Sequence, residues 1–295
     1  MPIAPAAVRL HWRTAGGVLS LDRPVILGIL NVTPDSFWDG GLHATVEAAV
    51  RHSARLVEDG ADVIDIGGES TRPGASPVDV AAEIARVVPV IEAVRHAWPE
   101  LPISVDTVKA PVARAALEAG AAIINDVSGL RLDAKLAAEA AHAGAGVILM
   151  HSRGAVDRMA RYELAEYGPD PVADVVRELT TAVDRAHAAG IAEDAIVLDP
   201  GLGFAKRTEH SLALLMALER VGALGHPVLV GPSRKRFIGE AAGGALPPEA
   251  RLEGTLAACV IALLHGARLF RVHDVAPARR ALDFADAACR SRIAH

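Results

Sequence analysis

Val25-Ile-Leu-Gly-Ile-Leu-Asn31-Val-Thr-Pro-Asp35 is the stretch from which the fold can be inferred. Its first six residues are continuously apolar, which is typical of a strand buried on both faces in a parallel sheet. Asn31 ends the apolar run, and Thr33-Pro-Asp35 then predicts a loop. Helical periodicity begins only near His43, so this loop exceeds the usual length of about two to six residues. The stretch therefore predicts a buried strand followed by a loop that does more than turn the chain.

The alternation of a short apolar run with a helical pattern repeats along the rest of the chain. Eight such strand–helix units match a (β/α)8 TIM barrel, the α/β fold that we expect. An open doubly wound sheet is the alternative, but the chain has no G-x-G-x-x-G or Walker A stretch. The predicted strands are 25–30, 63–66, 102–105, 122–124, 146–150, 195–198, 227–230 and 268–272. The predicted helices are 44–59, 80–97, 111–119, 134–143, 172–189, 211–218, 251–265 and 278–288.

The residues before the first barrel strand predict a short β-hairpin. Residues 8–12 and 18–21 are β-like, and the glycines at 16 and 17 favour a turn between them. We expect a hairpin extension over residues 1–21, followed by one barrel over residues 22–295.

The composition limits the classes of partner. With 295 residues, 51% of them hydrophobic, the chain can bury a large core. Its net charge of −6 implies no general attraction to nucleic acid or anionic membrane. Cys259 and Cys289 lie in predicted helices without metal-ligand spacing, and we expect free thiols. Free thiols and the lack of a signal-peptide pattern or a membrane-length apolar run together predict a cytoplasmic protein.

Polar residues occur at the same end of all eight predicted strands. In a barrel these carboxyl ends surround the active site, whereas chance capping would not favour one end. The carboxylates and amides can pair with a flat heterocycle rich in N–H donors. Arginine binds phosphate oxygens in a bidentate manner. The first set comprises Asp106, Asn125, Asp199 and Lys235, and the second comprises Asn31, Arg72, Arg271 and His273.

The two sets together predict a nitrogen heterocycle that bears a phosphate or diphosphate. No Ser–His–Asp arrangement and no obvious covalent nucleophile is found in the sequence. Displacement of a diphosphate needs no covalent nucleophile from the protein. It needs positioning, stabilisation of the leaving group and Mg²⁺ on the phosphate oxygens.

Several motifs at these strand ends resemble the dihydropteroate synthase family, over roughly residues 21–288. The resemblance implies a (β/α)8 barrel that forms a homodimer. It also implies that 6-hydroxymethyl-7,8-dihydropterin diphosphate is condensed with 4-aminobenzoate, giving dihydropteroate and diphosphate with Mg²⁺ as cofactor. The motifs are Asn31-Val-Thr-Pro-Asp-Ser-Phe37, Gly68-Glu-Ser-Thr-Arg-Pro-Gly74, Ser104-Val-Asp-Thr107, Asn125-Asp-Val-Ser-Gly129, Asp199-Pro-Gly-Leu-Gly-Phe204, Ser233-Arg-Lys235 and Arg271-Val-His-Asp-Val275.

The resemblance also implies roles for individual residues. Asn31 matches a position that meets the metal and diphosphate, and Asp39 lies in a first loop that closes over the reacting centre. The implied catalytic residues are Asp39, Arg72, Lys235 and Arg271. The implied pterin ligands are Asp106, Asn125, Asp199 and Lys235, with Met150 among the substrate-binding residues. Thr71, Arg72, Arg271 and His273 match diphosphate or second-loop positions. The positions around aminobenzoate are matched by Thr71, Pro73, Phe204, Ser233 and Lys235.

Two other functions are open at this stage. A methyltetrahydrofolate-binding methyltransferase domain would share the barrel and the acid-and-amide set. It would not need the second-loop arginine or Ser233-Arg-Lys235, both of which this chain keeps. A non-catalytic paralogue would be expected to lose those motifs.

Overall fold

Eight parallel strands form a closed barrel in the computed structural model, which describes residues 10–32, 41–70, 76–244 and 246–293. A hairpin of β1 (His11–Thr14) and β2 (Gly17–Ser20) precedes the barrel. The barrel strands are β3 (Val25–Asn31), β4 (Val63–Gly67), β5 (Ile103–Asp106), β6 (Ile123–Asp126), β7 (Gly146–Met150), β8 (Ile196–Asp199), β9 (Leu229–Val230) and β10 (Leu269–Val272). Their order around the sheet is β8-β7-β6-β5-β4-β3-β10-β9, and a parallel bridge between Leu198 and Val228 joins the two outer strands. The (β/α)8 prediction is confirmed, and the open-sheet alternative is wrong.

Helices surround the barrel and follow the strands in the expected order. They are α1 (Gly41–Glu58), α2 (Val80–Ala97), α3 (Ala110–Glu118), α4 (Leu136–Ala143), α5 (Pro171–Ala188), α6 (Thr208–Leu215), α7 (Leu218–Gly222), α8 (Arg236–Ala241), α9 (Leu252–Leu264) and α10 (Val275–Ile293). The single helix predicted over 211–218 is two helices, because Ala217 has a non-helical φ of −137°. Helix α8 was not predicted, since six residues are too short to show periodicity.

The hairpin closes the amino-terminal end of the barrel. Trp12 of β1 is completely buried and belongs to the apolar cluster that fills the lower barrel interior. Its indole Nε1 donates to the carbonyl oxygen of Ala195, 2.8 Å away, at the start of β8. A buried tryptophan with a satisfied N–H fixes both position and orientation. The predicted hairpin strands were 8–12 and 18–21, and the observed strands are His11–Thr14 and Gly17–Ser20.

The second apolar layer lies between the barrel and its helices. Ala, Val, Leu and Ile dominate this layer, as the low aromatic content requires. Among the described residues, no helix combines the length and apolarity needed to cross a membrane.

Candidate active site

The alternation of side chains along four strands places charged groups directly above the apolar floor. Successive side chains point to opposite faces of a sheet, so residues two positions apart share a face. In each of these strands an apolar residue of the floor cluster is followed, two positions later, by a charged or amide residue. The floor residues are Val63, Ile123, Val197 and Leu269. The residues above them are Asp65, Asn125, Asp199 and Arg271. The barrel interior therefore becomes polar at the carboxyl ends of the strands, where barrel enzymes bind substrates.

Arg271 connects three strands at this level. Its Nε donates to Oδ2 of Asp65 at 2.6 Å, and its Nη2 donates to Oδ2 of Asp106 at 2.7 Å. Asp65 is completely buried and also accepts from the amide nitrogen of Asn125 at 3.3–3.4 Å. A buried carboxylate needs such partners, because an unpaired buried charge is costly. The network therefore holds Asp106 and Asn125, two predicted ligands, in defined positions.

Asp65 lies inside the predicted strand 63–66 and is not among the predicted site residues. The signal was present, since a single carboxylate interrupts the otherwise apolar run of β4. Arg271 also joins the two predicted sets, because it contacts Asp106 of the heterocycle set. The two sets are therefore adjacent and share a charge network.

Lys235 and Asp199 lie on the side of the mouth formed by β8 and β9. Asp199 is only 4% exposed, and its Oδ1 accepts from the backbone N–H of Gly201 at 2.7 Å. Lys235 donates to the carbonyl oxygen of Leu202 at 2.6 Å. Its ammonium also lies 4.2 Å from the ring centroid of Phe204, within cation–π range. Lys235 belongs to the set predicted to bind the heterocycle, and it also contacts the aromatic residue predicted to lie beside aminobenzoate.

The mouth shifts the pKa values of its charged groups. Burial raises the pKa of Asp106 to about 7, against the opposing effect of Arg271. Burial lowers the pKa of Lys235 to about 8, and the nearby Asp199 partly opposes this shift. Burial also raises the pKa of Asp199, while Lys235 acts against the rise. Such shifts are characteristic of groups that bind or transform substrates.

Asn31 ends β3 beside the same network. A Cβ placed on Gly67 would lie 3.8 Å from Oδ2 of Asp106 and 3.9 Å from Oδ1 of Asn31. The two side-chain oxygens therefore border the space above Gly67. Amide, carboxylate and diphosphate oxygens are all ligands of the kind that Mg²⁺ prefers. The donor chemistry at Asn31 fits the expected ion.

An apolar cluster forms the remaining wall. Met150 is buried with Val108, Val127 and Met159, and Phe204 packs against this cluster. Two predicted substrate-binding residues, Met150 and Phe204, are thus brought together. An apolar wall beside polar groups is the usual composition of a small-molecule site.

Ser233 and His273 connect the loops that follow β9 and β10. Oγ of Ser233 lies 2.9 Å from Nδ1 of His273 and accepts from the backbone N–H of the same residue at 3.2 Å. At the first distance the hydroxyl can donate to an unprotonated Nδ1. The second contact also makes the hydroxyl a link between the two loops.

Lys109 joins the two ends of the segment that carries the second-loop motif. Its ammonium donates to Glu69 at 3.1 Å, to Glu83 at 2.6 Å and to the carbonyl oxygen of Val78 at 2.6 Å. Glu69 in turn accepts from the backbone N–H of Val78 at 2.8 Å. These contacts bracket residues 71–75. No local sequence pattern predicts these contacts.

Thr71, Arg72 and Pro73 lie outside the described residues, as does Asp39 of the first loop. Their predicted roles therefore stay predictions.

Lys206 is a completely buried lysine next to this site, and sequence reasoning missed it. Its Nζ lies 2.8 Å from Nδ1 of His151 and 2.9 Å from the carbonyl oxygen of Phe204. Burial lowers its pKa well below the ordinary value. The lysine ties the end of β7 to the loop after β8.

His151 continues the chain of contacts outward. Burial and the neighbouring Lys206 lower its pKa to about 4, so the ring is neutral at pH 7. Its Nε2 lies 2.9 Å from Glu178, which also accepts from Nε of Arg153 at 3.2 Å. Hydrogen bonds from His151 and Arg153, against the opposing effect of burial, lower the pKa of Glu178 to about 2. An ionised Glu178 places the ring proton on Nε2, leaving Nδ1 to accept from Lys206.

Comparison with known proteins agrees with this geometry. The sequence profile of the family described as "Pterin binding enzyme" matches residues 27–273. Dihydropteroate synthase of Mycobacterium leprae is 46% identical over 261 residues, covering 87% of this chain and 90% of that protein. The chain belongs to the dihydropteroate synthase family of pterin-binding enzymes. The family resemblance inferred from the motifs is thereby confirmed.

A solved structure and a second relative refine the comparison. The Xanthomonas albilineans dihydropteroate synthase with 4-aminobenzoic acid has a TM-score of 0.86 and 48% identity, covering 94% of this chain and 98% of that one. A Mycobacterium leprae protein named inactive dihydropteroate synthase 2 is 45% identical over 271 residues, covering 91% of each chain. Identity alone therefore does not separate catalytic from inactive relatives. The residues of the site must do so.

Proposed function

We propose that this family member is a transferase that condenses 6-hydroxymethyl-7,8-dihydropterin diphosphate with 4-aminobenzoate, forming 7,8-dihydropteroate and diphosphate. The reaction belongs to folate biosynthesis. The single observation that carries the proposal is the convergence of Asp65, Asp106, Asn125, Asp199, Lys235 and Arg271 on one barrel mouth. A carbon–oxygen bond to diphosphate breaks, a carbon–nitrogen bond to the arylamine forms, and the amine loses a proton.

The pterin ring would occupy the mouth between the two acidic groups. Asp199 and Asp106 would accept its ring and amino N–H groups, while Asn125 would both donate and accept. The ammonium of Lys235 would donate to a ring oxygen or nitrogen. As the diphosphate departs, positive charge develops on the pterin, and fixed carboxylates nearby stabilise that charge without reorganisation.

Cationic groups would hold the departing diphosphate. We assign this role to Arg271, near the carboxyl end of β10, and to His273, two residues further along the chain. The second-loop residues Thr71 and Arg72 are the other proposed diphosphate ligands. Lys109 supports this assignment indirectly, since it fixes both ends of the second-loop segment. Asp39 of the first loop is proposed to act at the reacting centre.

Aminobenzoate would bind beside the apolar wall. Phe204 offers a ring face and Met150 an apolar floor, and both belong to one cluster. Thr71, Ser233 and Lys235 would provide polar contacts to the carboxylate or the amine. This pocket adjoins the pterin pocket through Lys235, which reaches both Leu202 and Phe204.

We propose Mg²⁺ as the cofactor, held by Asn31 together with the diphosphate. The bound ion supplies neutralisation of the leaving group's charge. Asn31 would contact the metal and diphosphate from β3, and Arg271 would contact the diphosphate from β10.

Dihydropteroate formation from the two substrates, with and without Mg²⁺, tests the proposal. The expected result is Mg²⁺-dependent product with one diphosphate released for each dihydropteroate. Pterin binding without either product would favour an inactive relative. Methyl transfer from methyltetrahydrofolate without diphosphate release would favour the methyltransferase alternative, against which the intact Ser233-Arg-Lys235 argues.

We also propose a cytoplasmic homodimer built from the barrel of residues 22–295 with its hairpin extension of residues 1–21. Leu264 at the end of α9 is 61% exposed and Phe284 of α10 is 78% exposed, and the two helices are neighbours. Large exposed apolar side chains on adjacent helices favour a contact between copies. The thiols of Cys259 and Cys289 are free, which suits a reducing compartment. Light scattering of Phe284→Asp beside the unaltered protein tests the dimer.

A further inference from the structure

Three potential metal ligands meet at the amino-terminal end of the barrel, far along the strands from the mouth. His187 lies in the last turn of α5, Glu193 begins the short 3₁₀ turn Glu193–Ala195, and His226 precedes β9. Nε2 of His187 is 2.6 Å from Oε2 of Glu193, and Nε2 of His226 is 3.6 Å from Oε1 of the same carboxylate. All three donor atoms lie within 4.8 Å of one another.

We propose that His187, Glu193 and His226 form a binding site for a divalent transition metal, with Zn²⁺ the best fit. Two imidazoles and one carboxylate are a ligand set that Zn²⁺ takes in tetrahedral geometry, with water in the fourth position. Imidazole favours zinc, copper and nickel, whereas Mg²⁺ requires an oxygen octahedron. The site is therefore chemically distinct from the one proposed for Mg²⁺ at Asn31.

Binding the ion needs only small side-chain movements: Nε2 of His187 and Oε2 of Glu193, now 2.6 Å apart, must separate slightly, and the wider spacings in the cluster must close. Two donors on one tetrahedral Zn²⁺ lie roughly 3.3 Å apart, from metal–ligand distances of about 2.0–2.1 Å. The side chains of His187 and Glu193 are 41% and 46% exposed, so rotation about their side-chain bonds can make these adjustments. His226 is 1% exposed and provides the fixed side of the site.

Neighbouring contacts hold the backbone that presents these ligands. Asp194 accepts from both Nε and Nη2 of Arg13 in the hairpin, at 3.1 and 2.9 Å. Ala195 accepts from the indole of Trp12. Glu193 is therefore presented by a segment fixed on its carboxyl side. Fixed ligand positions reduce the entropic cost of metal binding.

The location assigns the metal a structural role. The strand that starts after Glu193 ends at Asp199, and the strand that starts after His226 leads to Lys235. A metal here would join the end of α5 to the bases of β8 and β9 and leave the mouth untouched. Because it binds the folded chain, it would raise the melting temperature by mass action.

Calorimetric titration of tag-free, chelator-treated protein with Zn²⁺ in Mg²⁺-containing buffer tests the site. A Cys289→Ser background removes the partly exposed thiol as a competing ligand. We expect one equivalent to bind and the melting temperature to rise. His187→Ala should weaken binding by at least about tenfold, by comparison with the 10–100-fold typical of supporting groups.

His265→Ala is the matched control, because His265 also pairs with one glutamate, Glu219, at 3.1 Å but is not in the three-residue cluster. This variant should bind Zn²⁺ like the parent protein. Co²⁺ should give the intense visible absorption of a four-coordinate site in the parent and not in His187→Ala, a variant of an exposed residue that keeps the fold. Equal Zn²⁺ affinity in the two histidine variants, or no stoichiometric binding, would overturn the proposal. Dihydropteroate formation should be unchanged in His187→Ala, which separates this test from that of the catalytic proposal.

Discussion

Nη2 of Arg271 donates to Oδ2 of Asp106 across 2.7 Å, so the residue predicted to hold diphosphate is hydrogen-bonded to a residue predicted to hold pterin. Both side chains are largely buried, and the same guanidinium also neutralises the completely buried Asp65. A ligand that binds to either residue therefore also changes the hydrogen bonding and charge around the other. Arg271 is a structural residue of the mouth as well as a proposed diphosphate ligand.

Arg271→Ala should lower the free energy of unfolding by about 3–5 kcal/mol, because it leaves a buried carboxylate without its cation. Urea denaturation measures the loss. Arg114→Ala is the control, since Arg114 makes a similar two-point contact with Glu139 on the exterior, where solvent screens the pair. If both variants lost equal stability, the charge network at the mouth would not be a stabilising feature.

Arg271→Lys separates the binding roles better than the alanine variant, because it keeps the charge and loses the planar fork. We expect it to weaken binding of the pterin diphosphate more than that of a neutral pterin. Titrations with the two ligands give the comparison. An equal loss for both would contradict a specific role for Arg271 at the diphosphate.

Asp199→Asn should weaken binding of a pterin analogue by about 1–3 kcal/mol, the cost of leaving a buried polar group mismatched. The change replaces one acceptor by a donor that faces a donor. Calorimetry measures the affinity directly. Asp170→Asn is the control, because Asp170 is the N-cap of α5 and asparagine caps a helix equally well. Near-native affinity in Asp199→Asn would remove this residue from the pterin site.

The shifted pKa values of Asp106 and Lys235 predict a narrow pH optimum for pterin binding. Asp106 accepts hydrogen bonds as a carboxylate only above about pH 7, and Lys235 carries its proton only below about pH 8. Affinity should therefore peak between these values and fall by about tenfold per pH unit on either side. Calorimetry from pH 5 to 10 tests the profile.

Two variants test which residue causes the loss of affinity on the acidic side and on the basic side of the optimum. Lys235→Arg should move the basic limb beyond pH 10, since guanidinium keeps its proton. Asp106→Asn should remove the part of the acidic limb that Asp106 contributes, at lower affinity, and leave the part due to Asp199, whose pKa is also raised by burial. The same shifts act on stability with opposite signs. The lowered pKa of Lys235 makes stability rise between about pH 8 and 10.5, and the raised pKa of Asp106 makes it fall between 3.8 and about 7.

The barrel could be predicted because most strands are nearly continuous apolar runs and the longer helices show the 3.6-residue apolar period. The positions of Asp199 and Arg271 could also be predicted, since a polar residue at or next to the end of a buried run lies near the carboxyl end of a parallel strand. Both residues lie two positions after an apolar floor residue of the same strand, so their side chains also point into the barrel. These inferences need only local sequence.

Contacts between distant segments could not be predicted. Lys109 meets Glu69 and Glu83 from 40 and 26 residues away, and nothing local distinguishes this lysine from a solvated one. Lys206 follows a glycine-rich turn and looks exposed in sequence, yet it is completely buried. The break between α6 and α7 is likewise set by packing, because Met216 and Ala217 are ordinary helix formers.

Lys206→Met tests whether the buried lysine holds the aminobenzoate side of the site. Methionine is apolar and of similar length, so it fills the space but leaves Nδ1 of His151 and the carbonyl oxygen of Phe204 without their donor. Unsatisfied buried acceptors cost about 1–3 kcal/mol each. We expect lower stability in urea and a higher KM for aminobenzoate, with less effect on pterin affinity, because Phe204 and not Asp199 loses its anchor. Lys135→Met on the surface is the control.

The pH dependence of stability shows whether Lys206 is neutral in the folded chain. The lowered pKa of Lys206 means that the unfolded chain binds a proton that the folded chain has released. Between the lowered value and 10.5 the unfolding free energy of the parent protein should therefore rise with pH relative to Lys206→Met. Urea titrations of both proteins from pH 6 to 10 measure the difference. Parallel curves would mean that Lys206 stays protonated in the folded chain, and an unchanged KM for aminobenzoate would mean that it does not position Phe204.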